Sequence, residues 1–385
     1  MTIAASTFID ACTRRGYDFF AGVPCSFVRA LINRVIASPR LRYVGGASEG
    51  EVLGITSGAW MAGRKTVAMC QNSGFGNMVN PLTSLNRPFA IPTLLVTTWR
   101  GQPGVNDEPQ HEQMGRILFD LIDCLELAWH YFPEAEDEVD ALIERVLCDA
   151  ERTRKPVVLV MRKGAVEAGE EIGAPVPRPP TGVVLDHRRG RSKMTRTDAI
   201  RVARDAFADS APIIATTGMT GRELFTIGDR PNQLYTVGSM GCASAIGLGL
   251  SLGRRNAEKA PPTMVLDGDG AALMKMGNFA TIGHEQPHRF VHVLLNNGTH
   301  DSTGGQHTSA SNVDFASVAV ACGYRSGTRV DDADGLAAAV QRASDGPGPH
   351  LIEVSILPGS PAGIGRPTIT PQQVIDRFKV AIAES

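Results

Sequence analysis

Apolar residues along this chain gather in short runs, most of which end abruptly in glycine, asparagine, aspartate or threonine. The runs at 43–45, 66–70, 92–97 and 156–161 read as strands, as do those at 212–216, 234–237, 263–267, 290–295 and 350–356. Helical patterning lies between them. At 6–16 it puts Phe8, Ile9 and Cys12 on one side, a second helix starts near Ser26 after a strand end, and a last one spans 371–384. Strands alternating with helices predict mainly parallel sheets covered by helices on both faces. The pattern dissolves after Gly164, where four prolines fall within 175–180 and a basic cluster follows. This predicts a first domain at 1–165, a linker at 166–195 and a second domain at 196–385. Each half begins with a helix and closes on a similar strand, KPVVLVM and PHLIEVSI, so two copies of one α/β sandwich are expected.

Within the second half, residues 263–301 carry the most chemistry. An apolar run turns polar at Asp267-Gly268-Asp269-Gly270, a helix is expected at about 273–284, and a second apolar run ends at Asn296-Asn297-Gly298. Strand, helix, strand at this spacing is a βαβ unit with parallel strands. Asp269 and Asn297 would leave the carboxyl ends of neighbouring strands, roughly 5 Å apart, where open α/β sheets bind ligands. A carboxylate, an amide oxygen and glycine backbone make a hard-oxygen site suited to Mg²⁺ and phosphate. The glycines, with a helix starting after Gly270, would bring N–H groups to a diphosphate. A calcium loop is excluded by apolar Ala271, Ala272 and Leu273 at the next ligand positions.

Length and composition narrow the field. A chain of 385 residues has room for two full cores, and 43% hydrophobic with 20% charged residues is the composition of a globular protein. A net charge of −2 gives no footprint for nucleic acid or an anionic membrane. Asp10, Arg14 and Arg15 stand where a signal peptide would need an apolar core, and no apolar run reaches membrane-spanning length. The seven cysteines are scattered without CxxC spacing, as expected of reduced thiols in a cytoplasmic protein.

In the first half, Gly45-Gly46-Ala47-Ser48-Glu49-Gly50-Glu51 sits where a strand ends and a helix starts. Glu49 is the candidate acid, with Glu51 as its alternative and a helix-terminal role as its plainer explanation. Gly46-Ala-Ser48-Glu-Gly50 also fits a nucleophile elbow, which would make the chain a Ser48 hydrolase, but no HGGG-like oxyanion loop accompanies it. Gly74-Phe75-Gly76 follows a strand yet lacks the remaining marks of a dinucleotide site.

Two motifs together, GDG and, 25 residues on, NN, resemble the signature of thiamine-diphosphate enzymes. That resemblance implies two similar thiamine-diphosphate-binding-fold domains, pyrimidine-binding then diphosphate-binding. It also implies Mg²⁺ held by Asp269, Asn297 and the Thr299 carbonyl. Glu49, trailed by Gly58-Ala59-Trp60-Met61-Ala62-Gly63-Arg64-Lys65, resembles the cofactor-activating glutamate of the pyrimidine domain. Longer stretches, CQNSGFGNMVNPLTSL, WRGQPGVNDEPQHEQMG, GMTGRELF, VGSMGCASAIGLGLSL, NNGTHDSTGGQHT and GRPTIT, are similar to the phosphonopyruvate decarboxylases, across nearly the whole chain. Phe75, Thr299, Thr303 and His307 depart from that family's expected Leu, Ala, Val and Pro.

The family's reaction turns 3-phosphonopyruvate into phosphonoacetaldehyde and CO₂. By the same resemblance Met240 bends the cofactor, the Gly238 carbonyl accepts from its 4′-amino group, and Thr217, Gly218, Gly268, Gly270 and Ala271 flank the diphosphate. An anionic 2-oxo acid needs cations or N–H donors for its tail. The candidates are Arg100, His111, Lys275, His300 and His307, with His111 also a catalytic candidate and Asp301 a candidate proton relay or helix cap. In this superfamily the ring binds one chain's first half and the diphosphate another chain's second half, implying a homo-oligomer, at least a dimer, with active sites at the interface. Sulfopyruvate decarboxylase is the nearest alternative within the class.

Overall fold

The structure, a computed structural model, describes residues 2–169, 179–190, 193–254 and 258–383. It falls into two compact units, residues 1–60 with 64–176 and residues 61–63 with 177–385.

The first unit holds β1 (Tyr17–Gly22), β2 (Arg42–Gly45), β3 (Lys65–Cys70), β4 (Leu94–Thr98), β5 (Ala128–Tyr131) and β6 (Val157–Met161). They form one parallel sheet in the order β2-β1-β3-β4-β6-β5. The second unit holds β7 (Val183–Asp186), β8 (Ile213–Ala215), β9 (Gln233–Tyr235), β10 (Thr263–Gly268), β11 (Phe290–Asn296), the short hairpin strands β12 (Thr299–His300) and β13 (Gln306–His307), β14 (Ser326–Val330) and β15 (His350–Ser355). Its main sheet, again parallel, runs β7-β14-β15-β11-β10-β8-β9. With β7 set aside and β8 counted as the first strand, both sheets have the order 2-1-3-4-6-5. The switch point, where such sheets bind ligands, lies between first and third strands in each.

The physical reason is visible in burial. β4 and β6 are buried along their whole length, so they read as unbroken apolar runs rather than alternating ones. In each unit the helix after the second strand is apolar on all sides and enclosed: Glu49–Met61 in the first, Ala243–Gly253 in the second. Gly247 lets the latter lie against β10, since a Cβ there would come within 2.4 Å of Val265 Cγ2. Around these elements pack fully buried side chains such as Phe20, Val67 and Phe290, each worth about 1.5–3 kcal/mol in water-to-core transfer.

Some elements differ from the sequence reading. The helix expected at 273–284 is two, Asp269–Met274 and Gly277–Glu285, so helical structure begins at Asp269 itself. β5, β7 and β14 were not foreseen, and β7 falls inside the stretch read as linker. The rest of that linker includes residues 170–178 and 191–192, which lie outside the described residues. Among the described residues no helix is long and apolar enough to cross a membrane, and all seven cysteines are free thiols.

Candidate active site

In the second unit, β10 and β11 pair in parallel with Gly268 opposite Leu295. That register brings Asp269 and Asn297 off adjacent strand ends, as the motif spacing predicts. Asp269 is 2% exposed. Thr308 Oγ1 donates to its Oδ2 at 2.5 Å, and the Asn297 N–H also reaches its carboxylate. Burial pushes the Asp269 carboxyl above its ordinary range, and these hydrogen bonds oppose the shift only in part. A nearly enclosed carboxylate with no cationic partner among the described residues suits a metal ion.

Asn297 is held from both ends. Its Nδ2 donates to Asp301 Oδ2 at 2.7 Å, and its Oδ1 accepts from the Thr299 N–H at 3.1 Å. Gly298, at φ +68°, makes the turn between them, and the Thr308 N–H closes the loop on the Gly298 carbonyl at 2.9 Å. Asp301 also accepts from Thr299 Oγ1 at 2.8 Å, Arg196 Nη2 at 2.5 Å and the Gly359 N–H at 3.0 Å. Burial alone would raise its pKa, but the Arg196 and Thr299 hydrogen bonds outweigh it and hold the carboxyl below the usual range. The residue read as a proton relay therefore has four donors around it, each from the protein.

The other candidates of the second unit lie on this loop and on the turns that follow β8, β9 and β10. His300 lies over Gly270, where a Cβ would sit 2.5 Å from its Cε1. His307 pairs with Thr299 in the β12–β13 hairpin and is exposed. Lys275, half-buried between two helices, packs its stem against Gly241 at φ +92°, close to the Ala271 carbonyl. Gly238 and Met240 are half-buried in the turn before the enclosed helix, next to Ser239 at φ +51°. Met240 is thus not a core methionine. Thr217 and Gly218 follow β8, with Gly218 at φ +94° opening the helix Met219–Ile227 near Ser302. Beside them opens a cleft of about 430 Å³, lined also by Arg222, Tyr235, Val237 and Arg366. Thr216 Oγ1, buried at the same strand end, has no hydrogen-bond partner among the described residues. An unpaired buried hydroxyl, positive-φ glycines and an enclosed carboxylate are groups a magnesium diphosphate can use, so the residues fit such a group.

In the first unit, Glu49 starts the enclosed helix at the end of β2. Asn77 Nδ2 donates to its Oε2 at 2.8 Å, while Oε1 lies on Gly74 and has no hydrogen-bond partner among the described residues. Glu51, the alternative, is fully buried and accepts from the Ala47 N–H at 2.5 Å. Ser48 Oγ accepts from the Glu51 N–H at 3.3 Å, the capping arrangement of an S-x-x-E start. Ser48 therefore caps a helix beside an edge strand. His111, 7% exposed, sits in a short 3₁₀ turn leading into the helix Glu112–Cys124 rather than just past a strand end. Its Nδ1 is 3.4 Å from Gln71 Nε2. Arg100 is engaged: its Nε and Nη2 grip Asp107 at 2.7 and 2.5 Å, and its guanidinium lies over Phe27.

Sequence reasoning passed over Thr308, Arg196, Asn77 and Gly74. Their roles come from contacts between residues distant in the chain; only the glycine, in a motif without a third, gave a local signal.

Residues 215–354 match the family model for thiamine pyrophosphate enzymes, C-terminal TPP binding domain. Benzoylformate decarboxylase from Polynucleobacter necessarius superimposes with a TM-score of 0.72 at 13% identity, covering 93% of this chain and 99% of that one. Duplicated sheets and a matched thiamine pyrophosphate binding domain define a thiamine-diphosphate-dependent enzyme. The phosphonopyruvate decarboxylase of Streptomyces viridochromogenes is 42% identical over 99% of this chain and 95% of its own length. The corresponding protein of Streptomyces hygroscopicus is 40% identical over 98% and 93%. The chain belongs to the phosphonopyruvate decarboxylase family. A sulfopyruvate decarboxylase of Methanosarcina acetivorans is similar at 29% identity over 96% of the chain.

Proposed function

We propose that this chain decarboxylates 3-phosphonopyruvate to phosphonoacetaldehyde and CO₂, using thiamine diphosphate and Mg²⁺, in the biosynthesis of phosphonate natural products such as antibiotics. The observation that carries the reading is the full-length similarity to phosphonopyruvate decarboxylases, spanning both the Glu49 helix and the Asp269–Asn297 pair. We further propose a cytoplasmic homo-oligomer, at least a dimer, organised as a pyrimidine-binding domain (1–165), a linker (166–195) whose strand β7 joins the second sheet, and a diphosphate-binding domain (196–385).

Thiamine diphosphate, when bound, supplies a nucleophilic carbon and an electron sink for the departing carboxylate. The protein's part is placement and proton control. Asp269 and the Asn297 amide oxygen, with the Thr299 carbonyl, would hold Mg²⁺. Thr217, Gly218, Gly268, Gly270 and Ala271 would flank the diphosphate, and Gly238 and Met240 the ring. Glu49, its Oε2 occupied by Asn77, would keep Oε1 for a proton shared with the ring nitrogen. His300, His307, Lys275 and His111 remain candidates for the anionic tail, as does Arg100, whose pairing with Asp107 leaves it least able to turn toward a ligand.

The reading is tested by CO₂ release from 3-phosphonopyruvate, sulfopyruvate and pyruvate, before and after chelation and cofactor removal. Turnover that is fastest with 3-phosphonopyruvate and returns only on adding both cofactor and Mg²⁺ is the expected result. Preference for sulfopyruvate, the second reading raised by the similarity to its decarboxylases, would overturn the substrate assignment.

A further inference from the structure

Arg196 sits in the first turn of the helix Arg196–Asp205, whose N-terminus is closed by a capping box of Thr195 and Asp198. Its side chain, 7% exposed, turns inward between two carboxylates. Nη1 donates to Glu223 Oε1 at 2.8 Å and Ser360 Oγ at 3.0 Å, while Nη2 donates to Asp301 Oδ2 at 2.5 Å. Glu223 is 1% exposed, and its Oε2 accepts from Thr197 Oγ1 at 2.7 Å. Two acids and one base in so dry a place are costly unless each lone pair and each N–H is used, and here most of them are.

The position of this network matters more than its strength. Glu223 belongs to the helix Met219–Ile227, which Gly218 opens. Asp301 belongs to the loop that carries Asn297 and Thr299. Asn297 Nδ2 donates to Asp301 Oδ2 while Asn297 Oδ1 accepts from the Thr299 N–H, and the Thr299 hydroxyl donates to Asp301 Oδ1, so the amide of Asn297 has only one orientation that satisfies both its ends. With its nitrogen committed to Asp301, Asn297 keeps its oxygen on the side of the Thr299 N–H, which uses one lone pair and leaves the other open.

We propose that Asp301, anchored by Arg196, is a positioning residue that fixes the side-chain amide of Asn297 with its oxygen available to a divalent cation, and that it moves no proton in catalysis. The inference rests on the proposed Mg²⁺ site. It asks Asp301 to do for an amide ligand what second-layer carboxylates do for histidine ligands, where their loss weakens metal affinity about 10–100-fold.

The test is Asp301→Asn, with Arg196→Lys as a variant that keeps the charge but loses the fork. Mn²⁺ binding is followed by loss of the free-ion EPR signal, with thiamine diphosphate present, and turnover is measured against Mg²⁺ concentration. Both variants should bind Mn²⁺ about 10–100-fold more weakly. Saturating Mg²⁺ should restore kcat to near the wild-type value, and Arg196→Lys should be the milder of the two. Should Asp301→Asn fail to fold, Arg196→Lys decides alone by the same criteria. Wild-type Mn²⁺ affinity in a folded variant overturns the proposal, as does a kcat that stays low at saturating Mg²⁺, the mark of a proton relay. If the wild-type protein itself binds no Mn²⁺ with the cofactor present, the underlying metal-site reading falls instead.

Discussion

The carboxyl group of Glu49 rests on Gly74 where a side chain would begin: a Cβ built there lies 2.0 Å from Oε1 and 2.4 Å from the carboxyl carbon. Gly74 lies within the helix Asn72–Pro81 and is not among the positive-φ glycines, so its backbone would accept alanine without strain. The glycine is needed for the space above it. Gly74→Ala should leave stability unchanged or raise it by up to ~1 kcal/mol, since glycine inside a helix is the weaker former. Turnover should nonetheless fall toward the level of Glu49→Gln, a loss of about 10²–10⁴ if Glu49 handles a proton. Thermal melts and steady-state rates on the two variants check this; a fully active Gly74→Ala enzyme would show that the carboxyl position is unimportant.

Thr308 offers a gentler handle on the Asp269 site. Its hydroxyl bonds Asp269 Oδ2 while its backbone closes the Gly298 turn, so Thr308→Val removes the first contact, and with it the cap that Oγ1 gives the Ala310 N–H at 3.3 Å, but keeps the turn. We expect Mg²⁺ affinity to drop about 10-fold, with kcat recovered at high Mg²⁺. Activation curves over Mg²⁺ concentration measure it.

Ser48→Ala separates a cap from a nucleophile. Loss of the hydroxyl that accepts the Glu51 N–H should cost about 1 kcal/mol of stability and leave decarboxylation intact. An ester-cleaving activity lost in this variant would revive the hydrolase reading.

Asp107 gives a pH signature. The Arg100 hydrogen bonds hold its carboxyl far below the usual range against the opposing effect of burial, and the Gly101 and Glu108 N–H groups add to them. A folded-state pKa below the unfolded value, about 3.9, means that the stabilisation is complete above that value and is lost as pH falls through the folded one. Asp107→Asn should therefore cost about 3 kcal/mol at pH 7, since the side chains are only 14% and 10% exposed and one partner would be left unpaired. Denaturant titrations of both proteins should show that difference shrinking below about pH 4. A difference that instead grew in acid would contradict the assignment.

Much of the fold could be read from the chain because its central strands are buried on both faces. β4, β6, β10 and β11 announce themselves as apolar runs. β14, written SGTRV, and β5, written AWHY, do not, because the strands near a sheet's margin carry polar or amphipathic residues. At the candidate site, the register of β10 and β11 followed from motif spacing, and so did the placing of Asp269 beside Asn297. What could not be read were partners fixed by three-dimensional closure: Thr308 lies 39 residues from Asp269, and Arg196 lies 105 from Asp301. No local periodicity encodes such pairs. Arg100 misled for a related reason, since a cation in a loop gives no sign that its counter-ion follows seven residues later.

β7 has a practical bearing on how the second half is handled. It is the outermost strand of its sheet, laid along β14, and Asp186 ties to both Arg188 and Arg329 across that margin. A fragment cut at residue 196 would strip this strand away and bare the hydrogen-bonding row of β14, an invitation to intermolecular strand pairing. Recombinant versions of the second half should therefore start upstream of Val183, and those that do not should be the ones that precipitate.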